Sequence, residues 1–228
     1  VTDRLQGLTA VIPALNEIAT ISGVVAAVRE VADRVVVVDD GSSDGTGEAA
    51  AAAGALVIRH DRPLGYDRAI SDGLNEAFRT GAVAAITTDA DGQHRIEDVY
   101  RVALPVVSGG NAFSGGVRDR YNRAIEALVG LLARPLYGTS DPFCGLKCYH
   151  RSLFERFGPF PSDVNIGSLP LVWVRRARLP RTFVPITSGR RHDRPRFASM
   201  LSGGAILATA FLRTLIADLT YANSSRKP

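Results

Sequence analysis

The chain has 228 residues, 46% hydrophobic and 22% charged, with a net charge of +4. That is enough for one sizeable core and too little for two comfortable domains. The balance excludes a disordered chain, and no apolar run is long enough to predict a membrane span. The start, Val1-Thr-Asp-Arg, is read as lacking a signal-peptide pattern.

The first half alternates strands and helices. Leu8 to Ile12 reads as a strand, and Ile18, Ile21, Val25 and Val28 then recur at helical spacing. "RVVVV" is the next strand, with Asp44 to Ala53 as the next helix. "ALVIR" follows as a strand, and Ile70, Leu74, Ala77 and Phe78 mark another helix. "AVAAITT" is a fourth strand, ending at Asp89. The alternation predicts an α/β fold, a mostly parallel sheet with helices on both faces. Strands that are apolar throughout agree with that, because both faces are covered. Ligands in such sheets sit at the carboxyl ends of the strands. The loops "PALNE", "DDGSSDGT", "RPLGYDRA" and "DADGQH" converge there.

The second half is less regular. Asn111 to Val117 reads as a strand running into a Gly-rich turn, and Tyr121 to Arg134 as a helix. "CGLKCYH" and "TFVPIT" read as strands. From Phe197 to Tyr221, Leu201, Ala205, Ala208, Leu212, Leu215 and Leu219 repeat at helical spacing. The polar side of that helix is narrow: Ser202, Thr209, Arg213 and Asp218. Such a helix suits a bilayer surface, the protein's own core or a second copy of the chain in a homodimer. The expected division is a main domain over 1–196 and a C-terminal helix and tail over 197–228.

Charge and cysteines narrow the partners. Arg175 to Arg196 holds eight arginines and one aspartate, net +7, so the rest of the chain carries net −3. Such a segment can face phosphates or an anionic membrane. With 25 Arg and 2 Lys, arginine is simply the default base here. Together with the alanine bias, this suggests a GC-rich bacterial genome. No aromatic-interleaved basic stripe appears, so nucleic acid is not expected as a partner. Cys144 and Cys148 are too few for a zinc site and read as reduced thiols of a cytoplasmic protein.

Two acidic motifs carry chemistry. In "TTDADGQH", Asp89, Asp91 and Gln93 alternate, and an extended backbone points all three the same way. Two carboxylates and an amide oxygen suit Mg2+ or Mn2+. The plainer reading is a polar loop that caps a helix. In "VVDDGSSDGT", Asp39 and Asp40 end a buried strand, where a carboxylate can accept hydrogen bonds from a ribose or base. Gly41 and Gly45 permit a tight backbone, and Ser43 or Asp44 can cap the next helix. No Gly-rich loop follows strand one, which weakens the NAD-site and methyltransferase readings.

"VIPALNE", "VVVVDDGSSDGT", "LGYDRAISDGLNEA", "TTDADGQH" and "DPFCGLKCYHR" stand in the order and approximate spacing of family 2 glycosyltransferases with the GT-A fold. They resemble the dolichol- and polyprenyl-phosphate sugar synthase branch most, well over Leu8 to Arg151 and loosely beyond. The resemblance implies a metal-dependent inverting transferase with a nucleotide-sugar donor. Pro13, Asn16 and Glu17 match its first nucleotide-binding loop, and Asp39 its nucleoside acid, with Asp40 beside it. Asp89 and Asp91 match the D-x-D pair, and Gln93 the branch's extra metal ligand. Arg118 matches an arginine near the sugar diphosphate. Arg123 or Arg134 matches a second one, and Arg190 or Arg191 a late arginine that contacts phosphate.

The acceptor follows from an absence. A hydroxyl acceptor needs a general base. The resemblance implies a base from an acidic motif late in the domain, and here that segment, "PSDVNIGSLPLVW", holds only Asp163. An ionised polyprenyl phosphate needs cations instead, which places the enzyme at the cytosolic membrane face as a peripheral protein. The chain departs from the branch late: the usual glutamate is Phe183, and "HDRPRF" replaces Gly-x-Ser-Lys. A small soluble acceptor, with Asp163 or Asp141 as base, therefore stays open. So does a nucleotide-binding module without turnover, against which Asp89, Asp91 and Gln93 speak. His94 is read as packing its loop, and His60, His150 and His192 as structural or surface residues. Cys144 is assigned a backbone role near the acceptor, and Lys147 added charge near the donor phosphates.

Overall fold

The computed structural model describes residues 3–120, 124–162, 166–187 and 208–219. Strands β1 (Leu5–Ala14), β2 (Ala32–Asp39), β3 (Leu56–Arg59) and β4 (Ala84–Thr87) alternate with helices α1 (Ile21–Val28), α2 (Thr46–Ala52) and α3 (Tyr66–Arg79). Then come α4 (Ile96–Val107), β5 (Phe113–Arg118), α5 (Ala124–Tyr137), β6 (Lys147–His150), α6 (Arg151–Phe157), α7 (Leu169–Arg176) and β7 (Arg181–Ile186). A last helix, α8, spans 208–219.

The seven strands form one sheet in the order β3-β2-β1-β4-β6-β5-β7. β1 runs parallel to β2 and β4, β2 to β3, and β5 to β7. β6 alone is antiparallel, between β4 and β5. Successive residues of a strand face opposite sides, and both sides are buried. Ala10, Ile12, Val35 and Val37 pack under α1, α2 and α4. Val11, Ala85, Phe113 and Tyr149 pack under α3, α5, α6, α7 and α8. This polarity collects one set of ends at one edge: the carboxyl ends of β1 to β5 and β7, and the start of β6.

The C-terminal helix sits differently from its sequence reading. Asp218, expected on the polar side, is buried, while Leu212, Ile216 and Leu219 point outward. Asp218 accepts hydrogen bonds from Arg175 Nη1 at 2.5 Å, from Arg176 Nε, and from Tyr137 Oη at 3.4 Å. Turning it out would strand two guanidinium groups without a counter-charge, a costly arrangement when they are partly buried. Two arginines of the basic segment are thus consumed in holding α8 to α7. Arg181 donates to the Tyr137 carbonyl at 3.3 Å.

Candidate active site

The first two loops of the edge are stitched together. The Asn16 N–H donates to Ser42 Oγ at 2.9 Å, and the Ser43 N–H returns to Asn16 Oδ1 at 2.9 Å. The Glu17 N–H donates to Thr46 Oγ1 at 2.8 Å. Asn16 adopts φ +53°, a conformation its short side chain tolerates. Asp44 Oδ1 accepts the Thr46 N–H at 3.0 Å, so it satisfies a free donor at the start of α2. Pro13 pairs with Val38 at the end of β1.

Asp39 and Asp40 face different tasks. Asp40 is filled from within: Oδ1 meets His60 Nδ1 at 2.7 Å and the Leu64 N–H at 2.8 Å, and Oδ2 accepts the Gly65 N–H at 2.8 Å. The sequence grouped it with the donor-binding residues, but the structure gives it a loop to hold. Asp39 Oδ1 accepts the Ser42 N–H at 2.8 Å. Its Oδ2 is buried without a hydrogen-bond partner among the described residues, with Arg59 Nε 3.8 Å away. Gly47 makes room for it, since a Cβ there would stand 2.5 Å from Oδ2.

The segment after β4 is a turn, not the extended run expected. It bends at residues 90–92, with Gly92 at φ +72°. The turn folds Gln93 back on Asp91: its N–H meets Oδ1 at 3.0 Å and its Nε2 meets Oδ2 at 2.8 Å. Asp89 lies against Gly145, where a Cβ would stand 2.8 Å from both carboxylate oxygens. Thr87 Oγ1 fixes the Gly145 carbonyl at 2.6 Å. Tyr66 Oη lies 3.4 Å from Asp89 Oδ1. His94 packs the loop as expected, its Nδ1 3.0 Å from Thr88 Oγ1. Among the described residues no group of three His, Cys, Asp or Glu could hold a metal. At this turn Gln93 can add an amide oxygen to the carboxylates of Asp89 and Asp91. That all-oxygen donor set on a partly exposed turn fits Mg2+ or Mn2+.

Arg118, at the end of β5, is engaged within the protein. Its Nε and Nη2 donate to Asp141 at 2.7 and 2.8 Å, and Nη2 also reaches Glu126 at 3.1 Å. Burial works against its charge, but the bonds and charge of Asp141 win and raise its pKa. Arg134 is exposed on α5. Arg123, Asp163, Arg190, Arg191 and His192 lie outside the described residues. Cys144 is buried, which pushes its thiol up to about 12, so it is inert.

Lys147, expected to add charge near donor phosphates, is buried instead. Its Nζ donates to the carbonyls of Pro142 at 2.8 Å and Gly167 at 2.5 Å, tying two loops together. Burial brings its pKa down to about 8 from 10.5. Between those values the unfolded chain holds a proton that the folded protein has released, so stability gains as pH rises through that window. Urea unfolding of the protein and of Lys147→Met, from pH 7.5 to about 10, should show the difference moving in favour of Lys147.

The model of the family described as glycosyl transferase family 2 matches residues 9–155. The chain belongs to that family. It is a glycosyltransferase with the GT-A fold. An uncharacterised protein of Methanocaldococcus jannaschii is 38% identical over 213 residues, covering 86% of this chain and 88% of that one. The UDP-N-acetylglucosamine–dolichyl-phosphate N-acetylglucosaminyltransferase of Methanococcus voltae is 30% identical over 175 residues, 64% of this chain and 70% of that one. Glucosyl-3-phosphoglycerate synthase of Mycobacterium tuberculosis, solved with Mn2+ and UDP-glucose, superposes with a TM-score of 0.71 at 26% identity. That match covers 92% of this chain and 78% of the synthase.

In this family 2 glycosyltransferase, the sequence reading missed Tyr66, Gly145, Gly47 and the duty of His60. Tyr66 and Gly145 each stand inside a motif already singled out. Nothing in their spacing says that they flank Asp89, because that proximity arises only when β4, β6 and α3 meet.

Proposed function

We propose that this glycosyltransferase moves a sugar from a nucleotide-sugar donor to a polyprenyl phosphate. One observation carries the donor half. A single sheet edge holds a buried carboxylate oxygen, on Asp39, without a hydrogen-bond partner among the described residues, and the oxygens of Asp89, Asp91 and Gln93. Asp39 Oδ2 can accept an N–H or O–H from a nucleoside. The Asn16–Glu17 loop closes the same side. Mg2+ or Mn2+ at Asp89, Asp91 and Gln93 would neutralise charge on the departing nucleoside diphosphate. The solved relative holds Mn2+ and UDP-glucose, which supports the reading.

The acceptor half is supported by surface chemistry. Leu128, Leu131 and Leu132 of α5, and Leu212, Ile216 and Leu219 of α8, are half or more exposed. Both helices cover the same face of the sheet. Each outward face carries an arginine, Arg134 or Arg213, and no acid. Apolar side chains with cations and no acid match an anionic bilayer surface. A lipid phosphate is already ionised, so no general base is required. The dolichyl-phosphate transferase of Methanococcus voltae points the same way. No helix among the described residues is long and apolar enough to cross a membrane.

Thermal shift with GDP, UDP and TDP sugars, with and without Mn2+, tests the donor half. One nucleotide should raise the melting temperature with Mn2+ present, and a flat response to all would sink the reading. For the acceptor half, the protein should sediment with liposomes of anionic lipid at low salt. Leu131→Glu with Ile216→Glu should abolish sedimentation. A protein that stays in solution as a dimer buried through these faces would instead make α5 and α8 a subunit contact.

A further inference from the structure

We propose that Tyr66 is a positioning residue for Asp89, and that a clasp between His60 and Asp40 sets it in place. The proposal rests on the metal reading of Asp89 given above.

Residues 60–65 join β3 to α3, and three contacts lock this loop to the end of β2. His60 Nδ1 lies 2.7 Å from Asp40 Oδ1. The same carboxylate takes the backbone N–H groups of Leu64 and Gly65, both at 2.8 Å. Gly41 presses on the loop from below: at φ +79°, a Cβ there would stand 2.7 Å from the Arg62 carbonyl carbon. The far side of the imidazole faces α3. His60 Nε2 lies 3.2 Å from Asp72 Oδ2, which also accepts Arg68 Nε at 2.5 Å. The ring thus spans a strand-end carboxylate and a carboxylate in the second turn of α3, and it fixes the first part of that helix between them.

The first residue of α3 is Tyr66, directly after the tethered Gly65. Tyr66 is 43% exposed and belongs to neither main core cluster. Its hydroxyl lies 3.4 Å from Asp89 Oδ1. Gly145 limits Asp89 on another side, and His94 Nε2 stands 3.9 Å from Oδ2. The hydrogen bond that reaches this carboxylate among the described residues therefore comes from Tyr66. A partner of this kind orients a ligand before the metal arrives, and losing one typically costs about 10–100-fold in affinity. A bond of 3.4 Å is long, which places the effect at or below the low end.

The test uses Mn2+ alone, titrated into the whole chain, with free Mn2+ read from its paramagnetic resonance signal. Tyr66→Phe should weaken binding roughly three- to tenfold and leave the melting temperature unmoved. His60→Gln should weaken Mn2+ binding by a similar factor and also lower the melting temperature. The double variant should bind Mn2+ no more weakly than His60→Gln alone, because both changes act through one contact. Where His60→Gln fails to fold, Asp72→Asn takes its place. Unchanged binding in Tyr66→Phe, or losses that multiply in the double variant, would overturn the proposal. An unaltered protein that binds Mn2+ while Tyr66→Phe binds it equally well sinks only this proposal. An unaltered protein that binds no Mn2+ sinks the metal reading with it.

Discussion

Asp91→Ala is expected to lower sugar transfer by about a hundred- to a thousandfold while the melting temperature stays nearly constant. Both halves follow from the turn at residues 90–92. Asp91 is partly exposed and lies on that turn, outside every strand and helix. Surface substitutions of that kind usually change stability by about 0.5 kcal/mol or less. The loss at the site is larger than one ligand, because both bonds that hold Gln93 end on the Asp91 carboxylate. Removing it frees Gln93 as well, so two of three oxygen donors are lost to an organised set. Asp91→Asn keeps one oxygen and most of the shape, and it should lose less. Rates measured against Mn2+ concentration separate the two variants: Asn should need more metal, and Ala should not recover at any concentration. Unchanged transfer or donor hydrolysis in Asp91→Ala would mean that no metal works at this turn.

The parts of the fold legible in the sequence are those with short-range causes. Valines 35 to 38 are apolar on both faces of β2, so burial on both sides could be read directly. The polar loops after β1 to β4 followed from chain direction alone. Strand partnership was not legible, because β6 enters antiparallel between β4 and β5 through contacts far apart in sequence. Helix α4 is absent from the sequence reading although Glu97 and Asp98 in its first turn are a start signal. Asp98 is in fact buried, accepting from Arg101 Nη1 at 3.0 Å and from the Thr187 N–H at 3.2 Å. Asp218 failed in the same way: a carboxylate was placed outside by its type, and two arginines drew it in. At the site, residue identity was readable and orientation was not. Alternation suggested that Asp89, Asp91 and Gln93 share a direction, whereas Gly92 turns the backbone between them.

Asp141 separates bracing from catalysis. It stood as a base for a hydroxyl acceptor, but in the structure it is 3% exposed and committed to Arg118. It accepts the Arg118 N–H at 3.1 Å as well as two guanidinium bonds, and its own N–H meets Thr139 Oγ1 at 3.0 Å. Breaking a buried pair from one side costs about 3–5 kcal/mol, because the remaining charge is left uncompensated. Glu126 still reaches Arg118, which favours the lower end. Asp141→Ala should then lower the melting temperature by roughly 6–12 °C for a chain of this size. Asp141→Leu with Arg118→Met and Glu126→Gln should recover most of that loss, since replacing all charged members of a buried ion cluster often carries no penalty, whereas keeping Glu126 would leave its buried carboxylate without Arg118. Activity in the recovered protein then isolates the guanidinium. A stable multiple variant that is inactive, where Asp141→Ala keeps activity at a temperature below its melting point, would give Arg118 a task at the donor diphosphate beyond its tie to Asp141. If Asp141→Asn instead stays stable while kcat collapses, Asp141 acts as a base, and a hydroxyl acceptor displaces the lipid phosphate.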